Sequence, residues 1–357
     1  MKTYIKFLVI GFTKSFFNVF FIMTSLILIL NILKEIEFFS NKDVSSLYPV
    51  YLSALSSASI IFEIFPFIFL IATQFFFLKL FENNEINIFK YSGLRNISIV
   101  KILSLISFIM GIFIITLFYT MSSNLQNYYL QVKNQFSKDK LHLAVINKNG
   151  LWIKDTINDK ISIINSSKIN DNFLTDTFIT IFNKDFKLIK SYKSDKIDIK
   201  NNEWLIYDAI IFENNSRKKS DLIRFNSNFN QKRIESLFSN LSSLSLLELF
   251  NLRQNYKLLN YSLVDVDMQI YKICTYPLFL VLMTIISAII MFNTKQSNSK
   301  VIKIIIGLFF SVAIYYINNF FNVMGSTEKI PLMISIWSPI IFLTLINLTM
   351  LVNINEK

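Results

Sequence analysis

Few side chains in this 357-residue chain are of a kind and spacing that could do chemistry. It holds one histidine, His142, and one cysteine, Cys274, so no internal disulfide can close and no Cys/His metal cluster can assemble. A Ser-His-Asp or Cys-His centre would hang on His142 alone. The six glycines, Gly11, Gly93, Gly111, Gly150, Gly307 and Gly325, are each isolated, so no G-x-x-x-x-G-K-[ST] loop exists to cradle ATP phosphates. H-E-x-x-H and G-x-S-x-G are absent as well. Enzymatic activity, a resident metal and a cofactor are therefore not expected, and anything this chain moves must draw its energy from a partner. Three groups of charges remain. Lys34, followed by Glu35 and Glu37, either snorkels to a headgroup layer or offers an ammonium to a phosphate. Glu82, Glu85 and Phe89 fall at i, i+3 and i+7, placing two acids and an aromatic on one helix face, ended by Ser92-Gly93. That segment is either a solvated interfacial helix or a docking point. Glu63 and Lys272 lie within or beside apolar stretches, as helix-end anchors or as partners of other charges; Glu63 is expected to face water or to pair with Lys34.

The elements that must position these residues are long and apolar. Apolar residues make up 53% of the chain and charged ones 17%, with a mean hydropathy of +0.46; soluble domains run to about 45–50% and 25%. Ser15–Leu33, Ile102–Met121, Ile273–Asn293, Ile304–Asn322 and Leu332–Asn353 contain no Asp, Glu, Lys or Arg, and Ser53–Phe81 holds only Glu63 and Lys79. At ~1.5 Å rise per residue the shortest of these windows reaches ~28 Å, close to the ~30 Å hydrocarbon thickness of a bilayer. Six membrane spans are expected. Ser15–Leu33 is too long for a signal-peptide core and is followed by Lys34 and Glu35 rather than a small-residue cleavage site, so it is read as a retained first span.

The net charge of +12 is distributed as the positive-inside rule requires, not as a nucleic-acid footprint. Lys2, Lys6, Lys14, Lys90, Arg95, Lys101, Lys295, Lys300, Lys303 and Lys357 would share one side, against Lys34, Lys42 and Lys329 in the short loops opposite. Both termini are thus expected in the cytoplasm, with residues 122–267 outside.

That outer segment changes character. Leu151–Ile153, Ile161–Ile164, Phe178–Phe182, Phe186–Tyr192, Trp204–Phe212 and Leu222–Phe225 are short apolar runs. Asn147–Gly150, Asn158–Asp159, Asn183–Asp185 and Asn201–Asn202 punctuate them at close to the spacing of an all-β sandwich or roll. Ile197-Asp198-Ile199 alternates as a half-buried strand does, whereas Trp204-Leu205-Ile206-Tyr207 reads as one buried on both faces. Ser122–Lys138 is read as a stalk helix, and Ser242–Leu259 as a helix with Leu246, Leu249 and Phe250 on one face. The expected fold is a polytopic α-helical membrane protein of six transmembrane helices with an inserted periplasmic β domain. Residues 1–121 carry spans one to three with a cytoplasmic helix at about 82–96. Residues 122–267 form the outer domain, with strands from about 142 to 230, and 268–357 carry spans four to six.

This order of three spans, β domain and three spans resembles the permease subunits of lipopolysaccharide export, the YjgP/YjgQ (Lpt permease) family, along nearly the whole chain. The matching patches are Gly150-Leu151-Trp152-Ile153-Lys154-Asp155, Glu85–Gly93, Lys272 with Pro277, Gly307 with Tyr315, and Ile330-Pro331 with Pro339. The first patch and Lys34 resemble the G-type permease more than its F-type paralogue.

The resemblance implies a β-jellyroll outer domain and an F/G heterodimer on a dimeric cytoplasmic ATPase of the LptB type. It also implies a single-span LptC-like partner and an LptA-like bridge across the periplasm, with lipopolysaccharide as the cargo and the cell inner membrane as the location. Carried over residue by residue, Lys34 matches a first-span lysine near substrate phosphates and Glu37 a neighbouring acid. Glu85 matches the coupling-helix glutamate that docks on the ATPase, with Ile86 and Phe89 as packing neighbours and Gly93 closing the helix. Ser40 and Asn41 stand where relatives can have further lysines, and the loop Asn293–Lys303 lacks the expected Gly/Pro content. Rival readings are the F-type permease, a membrane-anchored ligand sensor and a lipid enzyme. The inner loops are too short to fold as a signalling module. The spans hold one acid, Glu63, where an enzyme would need a pair.

Overall fold

The computed structural model describes residues 3–40, 44–45, 47–136, 151–157, 160–170, 172–213, 216–231, 234, 240–258, 261–293 and 300–352. His142, Lys42, Gly150, Lys295, Lys357, the turns expected at 147–150 and 158–159 and most of the 293–303 loop lie outside these residues. The chain divides into two compact units, Met1–Tyr129 with Val264–Lys357, and Leu130–Leu263.

The first unit is helical. Its elements are α1 (Thr3–Phe39), α2 (Leu47–Glu82), α3 (Glu85–Tyr91), α4 (Asn96–Phe113), a π-helical stretch (Ile114–Tyr119) leading into α5 (Thr120–Gln135), then α7 (Val264–Asn293), α8 (Lys300–Ser326) and α9 (Leu332–Val352). Six helical segments, with α4 to α5 counted as one, are long and apolar enough to cross a membrane. In α2 and α7, 67% of the most apolar window is buried inside the protein, against 22% in α1 and α8. The first two therefore form the centre, and the second two turn most of their surface outward.

The contacts are those of helices packed where burial of apolar surface gives no preference for helix over lipid: small residues and hydrogen bonds. Ser107 and Thr284 hydroxyls meet at 2.8 Å, Ser287 donates to the Leu70 carbonyl at 2.7 Å, and Asn31 donates to Ser57 at 2.9 Å. Gly111 lets α4 approach the Pro277 backbone, where an added Cβ would sit 3.0 Å from Cα. Pro66, inside α2, removes the amide that would bond the Phe62 carbonyl, and the Tyr276 hydroxyl of α7 donates to that carbonyl instead.

The second unit carries one antiparallel sheet of seven strands: β1 (Leu151–Ile157), β2 (Lys160–Asn170), β3 (Phe173–Phe182), β4 (Leu188–Ser194), β5 (Lys196–Asp198), β6 (Glu203–Glu213) and β7 (Ser216–Asn226). β4 and β5 together occupy a single place between β3 and β6, so the sheet runs almost in chain order from β1 to β7. The described strands make an all-antiparallel β domain, which is the coarser form of the expected jellyroll-like insert. Asp176 and Asp208 take left-handed φ values of 47°, and the ladder omits the pairs Ser167 with Asp176 and Asp208 with Asp221 while the register on either side stays the same. The register shifts instead between Ile181 and Phe182, where β3 pairs with β4.

One face of the sheet is apolar: Ile153, Ile164, Ile179, Ile197, Trp204 and Ile206 are buried. Two sequence expectations fail here. Leu205 and Tyr207 are only half-buried, so Trp204–Tyr207 alternates instead of being buried on both faces, because the sheet has one apolar face. In α6 (Leu246–Leu258) Leu249 and Leu252 are buried while Phe250 is 48% exposed. The inward stripe therefore runs i, i+3 from Leu249, not through Phe250.

Candidate functional site

α3 is the element on which the sequence placed its docking residues. Asn84 takes a left-handed conformation (φ 55°), which stops α2 at Glu82 and lets α3 start afresh at Glu85. Glu82 and Glu85 therefore do not share a helix face, contrary to their i, i+3 spacing: no continuous helix runs through Asn83-Asn84 to enforce it. Glu82 instead pairs with Lys300 of α8 at 2.8 Å. Glu85 is half-buried at the first turn of α3, and its Oε1 accepts from the Asn83 amide at 3.0 Å. Ile86 is buried in the chain's own bundle, and Phe89 packs edge-on against Phe7 of α1, with ring centroids 6.0 Å apart. These two side chains hold α3 in place rather than offering it a surface.

Gly93 ends the helix. Its φ of 79° is open to glycine at no cost, and its amide donates to the Lys90 carbonyl while that of Leu94 reaches Phe89. The outward face of α3 belongs to two residues the sequence reading passed over, Ile88 and Tyr91, which are 59% and 91% exposed. Their i, i+3 spacing was visible, but only the inward burial of Ile86 shows which face is free. An acid beside two exposed apolar side chains on a short helix is suited to insert into a groove with an apolar floor and a basic rim.

On α1, Lys34 and Glu37 are both exposed and lie one turn apart, and neither forms an ion pair among the described residues. Glu35 between them is different. It continues the buried stripe of Phe12, Phe16, Val19, Ile27 and Asn31, and it accepts a hydrogen bond from the Tyr129 hydroxyl at 2.7 Å. The sequence reading left it in the polar rim, although its i+4 spacing from Asn31 carried the signal.

No ion pair between Glu63 and Lys34 occurs among the described residues, and the neighbouring Phe62 ring stacks on Tyr276 of α7. No group of three metal-binding side chains occurs among the described residues.

In the β unit, Asp155 of the Gly150–Asp155 patch is buried. It accepts from the Ser227 hydroxyl at 2.8 Å, the Asn228 amide N–H at 3.0 Å and the Asn228 side chain at 2.8 Å. Tyr261 donates to the Trp152 carbonyl at 3.4 Å, and burial pushes its hydroxyl above the ordinary range. The patch is thus a structural latch on β1.

Residues 7–353 match the family model described as lipopolysaccharide export system permease LptF/LptG. No curated protein matches the chain.

Proposed function

The chain belongs to the LptF/LptG family of lipopolysaccharide export permeases, and from that premise we propose that it is the G-type half of a permease heterodimer. The family is that of transmembrane permeases of an ABC transporter, multi-pass in the inner membrane and not themselves catalytic. Hydrolysis therefore falls to an ATPase subunit of the Lpt complex. The extent of the match over residues 7–353 supports the permease part of the reading, and the G-type part is drawn from residues of this chain alone.

In the proposed arrangement the chain faces an F-type paralogue, and lipopolysaccharide enters from the periplasmic leaflet between them. Acyl chains would be held on aliphatic and phenylalanine side chains at about 25 cal/mol per Å² of apolar surface buried. A single-span LptC-like protein and an LptA-like bridge would take the cargo onward from the β domain. The G-type assignment is favoured by Leu151-Trp152-Ile153-Lys154-Asp155 after Gly150, and by Lys34. The decisive experiment is purification. The chain should bring down a cytoplasmic ATPase and a second six-span subunit, and ATP-driven lipid release by this chain and the ATPase alone would overturn the heterodimer.

Orientation follows from the excess of Lys and Arg on one side. With both termini cytoplasmic and residues 122–267 periplasmic, reporter fusions at Asn201 and Gln296 should give signals from opposite sides of the membrane. Same-side signals would reject this topology.

Lys34 and Glu37 are the proposed headgroup contacts. Both are exposed, and an ammonium beside the bilayer surface attracts phosphate. A photocrosslinker at position 34 should label lipopolysaccharide in the assembled complex. Labelling of bulk phospholipid alone would reduce Lys34 to a snorkelling anchor.

A further inference from the structure

The start of α8 is joined to α2 by more than the Glu82–Lys300 pair. Only one stripe of α8 faces the protein along most of its length: Lys303, Gly307, Ser311 and Ile314, at i, i+4, i+8 and i+11. Val301, Ile305, Phe309, Tyr315 and Tyr316 point outward. At the head of that stripe the fully buried Gln74 of α2 donates from Nε2 to the Lys303 carbonyl at 2.9 Å. That carbonyl also sits in the helix's own i→i+4 ladder, so the bond adds to the helix without opening it.

Gly307 makes the contact possible. A Cβ there would lie 2.0 Å from Gln74 Nε2 and 2.5 Å from its Oε1. Two turns further along α2, Phe81 lies under the Lys303 ammonium at 5.2 Å and Glu82 pairs with Lys300 at 2.8 Å. Glu82 is the last residue of α2, and only Asn83 and Asn84 separate it from α3. The Asn84 amide bonds back to Phe81, and its carbonyl receives the Asn87 and Ile88 amides. The end of α2, the start of α3 and the head of α8 are thus tied by hydrogen bonds and one ion pair.

We propose that Gln74, with Gly307 as the space that admits it, is a positioning residue that keys α8 to the α2–α3 joint, so that a displacement of α3 is passed to the outward-facing surface of span five. This deepens the proposed function and rests on α3 being the docking helix. The bond sets how far α8 follows α3, not whether the ATPase binds or turns over.

The test uses the complete complex in proteoliposomes, with ATP hydrolysis and lipopolysaccharide transfer to an acceptor measured together. Gln74→Leu should keep the ATPase bound and its hydrolysis within twofold, while transfer per ATP falls at least fivefold. Gly307→Ala should do the same, because its methyl group expels the Gln74 amide. Gly307→Ala combined with Gln74→Ala restores the space but not the bond, so its yield should stay low. A wild-type yield from Gln74→Leu, or recovery in the double variant, would overturn the inference by showing that the site matters only for packing or not at all. Co-purification separates this from the docking reading: ATPase that stays bound in Glu85→Ala removes docking through Glu85, whereas the Gln74 variants are judged by yield per ATP.

Discussion

Glu85→Ala is expected to lower ATP-coupled lipopolysaccharide release at least tenfold while leaving insertion and the β domain intact. Glu85 is half-buried at the start of α3, and within the chain its carboxylate accepts from the exposed Asn83 side chain. Little of the helical unit's own stability therefore depends on it. α3 stays in place because Ile86 is buried and Phe89 packs on Phe7, contacts that the substitution does not reach. A charged group lost from the desolvated part of an interface costs about 2–5 kcal/mol, more than tenfold in affinity. The measurement is the amount of ATPase retained on the purified permease together with release in proteoliposomes. Full retention with normal release would show that Glu85 does not seat the ATPase. Tyr91→Ala gives a second arm, because its ring is the most exposed on α3 and its removal takes contact area without altering charge.

Replacement of Asp155 by alanine should loosen the β domain rather than impair binding of any ligand. The carboxylate is 1% exposed and accepts three hydrogen bonds, all from Ser227 and Asn228, which follow β7. It thereby ties the first strand of the sheet to the chain leaving the last, two segments that share no ladder. Hydrogen bonds to a charged acceptor contribute about 1.5–3 kcal/mol each, and the donors left behind keep their desolvation cost. Even with strong non-additivity, the loss is on the order of 3 kcal/mol for opening the latch. Amide exchange around Leu151–Ile157 and Ser227–Phe229 in the full chain should accelerate by about two orders of magnitude. The helices should exchange as before. Unchanged exchange in both segments would mean that the latch contributes nothing, and a uniform acceleration would mean that the two units do not unfold separately. An acid in this patch would tempt a catalytic or ligand-binding reading. Its burial and its three donors give it a structural one.

The six helices were legible because a bilayer imposes a minimum length and excludes charge, so composition alone reveals them. The strands were legible for a similar local reason. Short apolar runs between Asn- and Asp-rich turns have few alternatives, and each of the runs named from the sequence overlaps a strand. The chain of resemblance was read from the order of patches and is matched by the family model over residues 7–353. Strand order was less accessible, because it depends on contacts between segments far apart in sequence, and the left-handed backbone of Asp176 and Asp208 is not announced by local composition.

For the candidate site the division is sharper. Residue types and spacing placed Lys34, Glu37 and Glu85 near helix ends, since apolar runs stop there. Only the tertiary structure decided that Glu82 turns to Lys300, and that Ile86 and Phe89 point inward while Ile88 and Tyr91 point out. The physical reason is that periodicity fixes which residues share a face, whereas a single left-handed residue such as Asn84 resets the phase of a helix. Which face is then covered depends on the neighbours that pack against it. Gln74 and Gly307 make the same point across 233 positions of chain: nothing local in either predicts that one exists to make room for the other.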